Sequence, residues 1–185
     1  MGWLAVPAGL AYGLNAAISA LSVLRNPGGS AQHPAGAWAS LGFATFAVPA
    51  MLAAAGAVQG GAIVVVATYV CAAGVAGIGL DAVMRAFESQ VPVGVERRLK
   101  YLFPIGFLAF HVWVAILSVT MLIGGVLPAG LGWLGIFTIG AFVAGMARSV
   151  SIPETRWGVG PAWFVSAFAP QAGVAVWTVW LGLSL

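Results

Sequence analysis

The segment Phe103–Val119, with the sequence FPIGFLAFHVWVAILSV, contains no Asp, Glu, Lys or Arg, and its only ionisable side chain is His111. The apolar run continues on both sides, so that it covers Tyr101–Val126. A helix rises about 1.5 Å per residue, and about 20 apolar residues therefore cross the roughly 30 Å hydrocarbon core of a membrane. The segment predicts a membrane-spanning helix with a histidine near its middle.

The composition of the whole chain agrees with a lipid environment. Of 185 residues, 62% are hydrophobic and only 6% are charged, whereas a soluble domain has about 25% charged residues. Seven basic residues are too few for a nucleic-acid-binding surface, and the single cysteine, Cys71, excludes an internal disulfide. We expect an integral membrane protein whose partner is the lipid bilayer. Other membrane subunits or further copies of the chain stay open as partners.

Six windows are long and apolar enough to cross a membrane. They are Trp3–Leu24, Ala35–Val58, Gly61–Phe87, Tyr101–Val126, Pro128–Val150 and Gly160–Leu185. None shows the alternation of apolar and polar residues that is typical of a barrel strand, and a helix satisfies its own backbone hydrogen bonds in lipid. The sequence therefore predicts an all-α fold, in which residues 1–185 form a single domain of six transmembrane helices.

The charged residues lie in or beside only three of the five predicted loops, those after the first, third and fifth helices. They are Arg25, Asp81, Arg85, Glu88, Glu96, Arg97, Arg98, Lys100, Arg148, Glu154 and Arg156. Basic loops stay on the cytoplasmic side. Both termini are therefore expected on the non-cytoplasmic side of the cell membrane, which agrees with an even number of spans. Trp3, Trp133, Trp177 and Trp180 are expected at the outer membrane interface.

Short segments of the first half of the chain reappear in the same order in the second half, 96 to 99 residues later. The pairs are residues 7–9 (PAG) with 104–106 (PIG), 20–23 (ALSV) with 116–119 (ILSV), and 72–76 (AAGVA) with 171–175 (QAGVA). Three helices in each half would place the halves in opposite orientations, as in many transporters. Such matches also arise by chance in a chain so rich in alanine and glycine, so an inverted 3+3 repeat stays open.

Polar residues within the predicted spans indicate a candidate binding site near the middle of the membrane. Tyr12 and Asn15 share a face of the first helix, His111 lies in the fourth, and Gln171 follows Pro170 in the sixth. Polar groups are costly when they face lipid, so we expect these four to point inward. Candidate helix breaks at Pro49, Pro104 and Pro170 would free carbonyl groups for hydrogen bonds.

His111 allows two interpretations. An ionisable residue within a membrane is by default a functional candidate, here a proton relay, a solute contact or a ligand of metal or haem. Histidine is also the easiest ionisable residue to bury, because it can stay neutral and donate one hydrogen bond. No cofactor or metal is predicted, although a single-histidine haem at His111 is not excluded.

Asp81, Arg85 and Glu88 form a second candidate cluster, spaced four and three residues apart on one face of the third helix at its cytoplasmic end. The functional interpretation is an inner gate or a lipid head-group site. The simpler interpretation is an ion-paired helix end that leaves the membrane.

Three functions follow from these observations. The first is a transporter or channel-like protein for a small neutral or weakly anionic solute, because no acid lies at the depth of His111 to couple a cation. The second is a non-catalytic subunit of a larger membrane complex, and the third is a lipid-directed enzyme at the cytoplasmic face. No catalytic residue is predicted, and the sequence lacks catalytic and phosphate-binding motifs. It therefore argues against an enzyme without excluding one.

Overall fold

A computed structural model describes residues 2–25, 34–58, 61–86, 101–151 and 161–185 of the chain. Within these residues the fold is all-helical, without strands, as the sequence predicts. After a short 3₁₀ turn at Gly2–Leu4, six α-helices follow in order. They are α1 (Ala5–Arg25), α2 (Pro34–Val58), α3 (Gly61–Ala86), α4 (Leu102–Gly124), α5 (Ala129–Ser151) and α6 (Pro161–Ser184).

Five of the helices, α1 to α5, contain stretches that are long and apolar enough to cross a membrane. Many large apolar side chains on their outer faces are exposed, for example Ile63, Phe137 and Ile123. A water-soluble protein would bury most of such residues, because their contact with water is unfavourable. The helices therefore have the surface of a multi-pass membrane protein.

The helices pack as a closed ring. Each one contacts its neighbours in sequence, α6 returns to contact α1, and α2 also touches α4 across the ring. Neighbours run antiparallel, since Gly36 and Gly42 of α2 approach Asn15 and Ala11 of α1 in reverse order. The ring keeps sequence neighbours adjacent in space, which is the usual arrangement when loops are short.

The closed ring has two distinct ends. Gly2 contacts Leu185, and Gly182 contacts Val6, so both chain ends lie at one end of the ring, called here the terminal end. Arg25 closes α1 and Arg85 lies in the last turn of α3, both at the opposite end. We call this opposite end the charged end.

The interior of the ring is filled mainly by aromatic and large apolar side chains. The largest fully buried ones are Trp113, Trp177, Phe110, Met51, Ile78 and Leu117. The ring planes of Trp113 and Trp177 meet at 90° with centroids 5.8 Å apart, an edge-to-face geometry that aromatic pairs favour. The prediction that Trp177 marks the outer interface is therefore wrong, whereas Trp3, Trp133 and Trp180 are exposed. Sequence position alone placed Trp177 near a helix end, but its face of α6 turns inward.

Glycine allows two helix pairs to approach closely. A Cβ on Gly106 of α4 would overlap with the backbone oxygen of Gly74 in α3. A Cβ on Gly9 of α1 would lie 2.8 Å from the backbone oxygen of Ala175 in α6. Backbones in contact gain van der Waals energy in lipid, where there is no hydrophobic driving force between helices. These contacts hold α3 to α4 and α1 to α6.

The prediction that Pro49, Pro104 and Pro170 break their helices is wrong, because none of the three interrupts its helix. Pro104 lies in the first turn of α4, where backbone N–H groups have no partner within the helix in any case. Helices α2 and α6 continue through Pro49 and Pro170. Each of these two prolines still removes one backbone donor from the helix interior.

We predict that Gly106→Ala destabilises the fold by about 1–3 kcal/mol, because the new methyl group collides with the Gly74 backbone, which cannot rotate away. Gly56→Ala is the control, since no atom lies within 4 Å of a Cβ there and alanine favours a helix by about 0.5–1 kcal/mol. Denaturant titration of the purified variants in mild detergent measures the free energy of unfolding of each. Equal stability of the two variants would show that α3 and α4 are not in backbone contact.

Candidate functional site

His111 lies in the centre of the ring, about midway along α4, and is only 2% exposed. Aromatic rings surround it. The Phe142 ring of α5 stacks on the imidazole at a centroid distance of 4.1 Å, and the Phe107 ring of α4 lies 4.3 Å away. Tyr12 of α1 and Phe110 of α4 lie slightly farther out, with centroids at 6.3 and 6.5 Å. Side chains from α1, α4 and α5 therefore hold the imidazole of His111 in place.

Both nitrogens of His111 are engaged in hydrogen bonds. Nδ1 lies 2.7 Å from the Phe107 carbonyl oxygen, one turn back in α4. A carbonyl can only accept, so Nδ1 carries the hydrogen. In the neutral imidazole, Nε2 then has the free lone pair and accepts from the Tyr12 hydroxyl at 3.4 Å. The local bond to α4 thus fixes the tautomer, and the longer bond joins α4 to α1.

Tyr12 is positioned by packing rather than by further hydrogen bonds to described groups. Its ring is 4% exposed and meets Phe43 of α2 edge-on at 5.1 Å. It also stacks with Phe107 at 6.2 Å. These contacts hold the phenol between α1, α2 and α4, so its hydroxyl faces His111. The predicted pair of Tyr12 and His111 does come together.

The other two predicted site residues are Asn15 of α1 and Gln171 of α6. Asn15 is half-buried, and its Oδ1 lies 3.5 Å from the Cβ position of Gly36, so its side chain faces α2. Gln171 of α6 is half-buried and has an interaction of its own. Residues 174 and 177 on the neighbouring face of α6 are fully buried. The described contacts thus join Tyr12 to His111 and place Asn15 toward α2; a shared role for all four residues stays a prediction.

The charged cluster at the end of α3 is partly described. Arg85 Nε donates to Asp81 Oδ2 at 2.7 Å, and Nη2 donates to the same oxygen. Asp81 is buried and Arg85 is partly exposed, so the pair satisfies a carboxylate that lipid would not solvate. The Arg85 guanidinium lies 5.0 Å from the centre of the Phe103 ring. Glu88, the third predicted member, lies outside the described residues.

An aromatic column connects this ion pair to His111 along α4. Phe103, below Arg85, stacks on Phe107 at 6.0 Å, and Phe107 contacts the His111 imidazole. The three side chains are four residues apart, so they lie above one another on one face of the helix. Along this face of α4, aromatic rings thus lie between the ion pair and His111.

Two further buried polar groups were not among the predicted site residues. Ser118 Oγ of α4 and Trp177 Nε1 of α6 are buried and have no hydrogen-bond partner among the described residues. Ser118 lies seven residues after His111 on the same face of α4, and this periodicity is the one signal that could have identified it. Trp177 gave no such signal, because a tryptophan near a helix end also suits a membrane interface.

A groove on the outside of the ring separates parts of α1 and α6. It has a volume of about 660 Å³ and almost purely apolar walls. Small residues and larger apolar residues line it; they include Gly9, Gly13, Ala17, Ala175, Leu14 and Leu183. The groove lies on the surface, away from His111.

The donor set around His111 gives no direct support for haem or metal binding. Haem ligation through Nε2 would require the Tyr12 hydroxyl to release this nitrogen. In the part of the chain that the structure describes, no three His, Cys, Asp or Glu side chains come together as metal ligands. Haem at His111 stays a prediction without a test.

Comparison of the chain with known protein families, with curated proteins and with solved structures finds no match. No relative therefore assigns a role to His111 or to any other residue. The function has to be inferred from the side chains themselves.

We predict that Tyr12→Phe lowers the free energy of unfolding by about 0.6–1.7 kcal/mol, the range of hydrogen bonds between membrane helices. The ring contacts stay, and only the bond to His111 Nε2 is lost. Tyr69→Phe is the matched control, because Tyr69 is 62% exposed on the outer face of α3. Denaturant titration in detergent gives both values, and an equal effect of the two substitutions would argue against the hydrogen bond.

Proposed function

We propose that the chain is a membrane protein of six transmembrane helices, with both termini outside, that moves a small neutral or weakly anionic solute past His111. The observation that carries this proposal is the Tyr12–His111 hydrogen bond at the centre of a closed ring. A helical ring held together only by packing needs no polar pair at this depth. Polar groups within a membrane are costly and mark solute or proton pathways by default.

The pattern of glycine contacts supports an inverted repeat of three helices. Gly106 of the segment 104–106 contacts Gly74 of the segment 72–76. The matching segments, 7–9 and 171–175, contact each other through Gly9 and Ala175. Tyr12 and His111 lie on α1 and α4, the first helices of the two proposed halves, and their hydrogen bond joins these halves. Binding sites at the interface of such halves, near the middle of the membrane, are typical of transporters.

The hydrogen-bonding groups of Tyr12 and His111 favour a neutral solute that both donates and accepts hydrogen bonds. With Nδ1 bonded to Phe107, the neutral imidazole presents an acceptor at Nε2, while the tyrosine hydroxyl can donate or accept. A solute group that both donates and accepts, such as a hydroxyl or an amide, can replace the long Tyr12–His111 bond. No described carboxylate contacts His111, so a cation finds no countercharge there. The aromatic walls suit a solute with little net charge.

Reconstitution into liposomes tests the proposal, with stopped-flow light scattering as the measurement. We expect the protein to raise the permeability to at least one of urea, glycerol or acetate. His111→Ala and Tyr12→Phe should each lower the gain roughly three- to eighteenfold, because either change removes one hydrogen bond worth about 0.6–1.7 kcal/mol to the solute.

Tyr69→Phe serves as the control and should leave permeability unchanged. Size-exclusion chromatography and circular dichroism confirm folding, and Tyr12→Phe keeps the test valid where His111→Ala does not fold. Permeability equal to that of empty liposomes for all three solutes would reject transport of these classes. Full permeability of both variants would reject the role of the pair.

The groove between α1 and α6 favours a second candidate, a non-catalytic subunit whose groove accepts a transmembrane helix of a partner. Gly9, Gly13 and Ala17, four residues apart along α1, line the groove. Small residues at this spacing let another helix approach closely in lipid. In this case the Tyr12–His111 bond would only hold α1 to α4.

We predict for this candidate that Ala17→Phe, which fills the groove, releases a polypeptide that co-purifies with the wild-type chain. Val66→Phe is the control, since Val66 is 61% exposed on the outside of α3. Native mass spectrometry of the protein in mild detergent provides the measurement. A wild-type chain that carries only lipid, or a partner retained by Ala17→Phe, would reject the subunit.

A further inference from the structure

The unpartnered hydroxyl of Ser118 and indole N–H of Trp177 face the same point. Both side chains are completely buried, at 0% exposure. A Cβ on Gly135 of α5 would overlap with Ser118 Oγ and would lie 2.8 Å from Trp177 Nε1. The two polar atoms therefore both lie close to Gly135, a position where α5 has no side chain. A buried donor without a partner costs roughly 1–3 kcal/mol, so such a pair requires an explanation.

Other hydroxyls in these helices bond to the backbone one turn back. Ser22, the counterpart of Ser118 in the proposed repeat, donates to the Ile18 carbonyl at 2.9 Å. Thr120 and Thr178, close to Ser118 and Trp177 in sequence, make the same bond at 2.8 and 2.7 Å. This local bond is the ordinary way to satisfy a helical hydroxyl. Ser118 does not make it, and its oxygen instead faces α5 and α6.

The partner of Trp177 in the core gives a second comparison. Trp113 packs edge-to-face against Trp177, and its Nε1 donates to the Thr68 hydroxyl of α3 at 3.1 Å. The two indoles are equally buried. One has an oxygen acceptor supplied by the protein, whereas the other faces Ser118 and Gly135 without reaching an acceptor.

We propose that Ser118, Gly135 and Trp177 form a second binding site, which takes a single hydrogen-bonding oxygen. The oxygen accepts from the Trp177 N–H, and it donates to or accepts from the Ser118 hydroxyl. An indole N–H only donates, so the bound group must be an acceptor, either water or the oxygen of a small neutral solute. Bridging of this kind satisfies both protein atoms at once.

The place of the site gives it a role that rests on the proposed transport function. Ser118 lies seven residues from His111, about 10 Å toward the terminal end. On α5, Thr138 comes between Gly135, which lies beside Ser118, and Phe142, which stacks on His111. Thr138 Oγ1 is 2.6 Å from the Cβ position of Gly173 in α6. The oxygen site is thus a binding site that a solute occupies between the terminal end and His111.

Nuclear magnetic resonance of protein labelled with ¹⁵N at the tryptophan indoles tests the site without any transport assay. Trp177→Phe assigns the Trp177 signal. We expect a cross-peak between the Trp177 indole proton and water, which Ser118→Ala weakens while it shifts the Trp177 signal. The Trp113 indole, bonded to Thr68, is the internal control and should change little in either respect.

Addition of urea or glycerol distinguishes the two sources of the oxygen. If a solute oxygen occupies the site, the cross-peak to water disappears and the Trp177 indole signal shifts. If the site takes only water, the cross-peak and the Trp177 signal stay unchanged. Either result supports an oxygen site. A Trp177 indole without water contact, unshifted by Ser118→Ala and by both solutes, would overturn it.

Permeability of proteoliposomes tests the place of the site on the pathway. Ser118→Ala should lower solute permeability about threefold or more, the effect of losing one hydrogen bond in the membrane, and Thr120→Ala should not. An occupied site in a protein without permeability would reject transport and uphold the site. Permeability unaffected by Ser118→Ala would remove the site from the pathway.

Discussion

Lipid cannot form hydrogen bonds, and this constraint governs the polar side chains that the described helices bury. Each buried donor or acceptor must find a partner inside the ring of helices. Among the described residues, Thr120 and Thr178 do so locally, with a carbonyl one turn back. The groups that reach across to another helix are therefore the informative ones. Tyr12 with His111, and Trp113 with Thr68, join helices that the apolar packing alone would leave free to shift.

Glycine and aromatic residues have different roles in the packing of the helices. Glycines bring α3 to α4 and α1 to α6 until their backbones touch, while aromatic rings fill the wider centre of the ring. Around His111, the Phe107 carbonyl determines the tautomer of the imidazole, and the rings of Phe107 and Phe142 pack against it.

Much of the fold could be predicted from the sequence, because hydropathy over about 20 residues reports a membrane span directly. The helices begin and end within a few residues of the predicted windows. Periodicity also brought Tyr12 and His111 to inward faces. It could not assign Trp177, whose side chain suits an interface as well as a core, nor the effect of Pro104, which depends on where α4 begins. The meeting of Ser118 with Trp177 depends on how three helices pack at Gly135, and no local pattern encodes that.

The aromatic column on α4 makes the two approaches to His111 unequal. From the charged end, a molecule would have to displace the rings of Phe103 and Phe107, which are packed against each other and against Arg85. From the terminal end it meets Ser118, Trp177 and Thr138. For the proposed solute, entry from the charged end would therefore require bulky aromatic side chains to rotate, whereas entry from the terminal end would require hydrogen bonds to exchange.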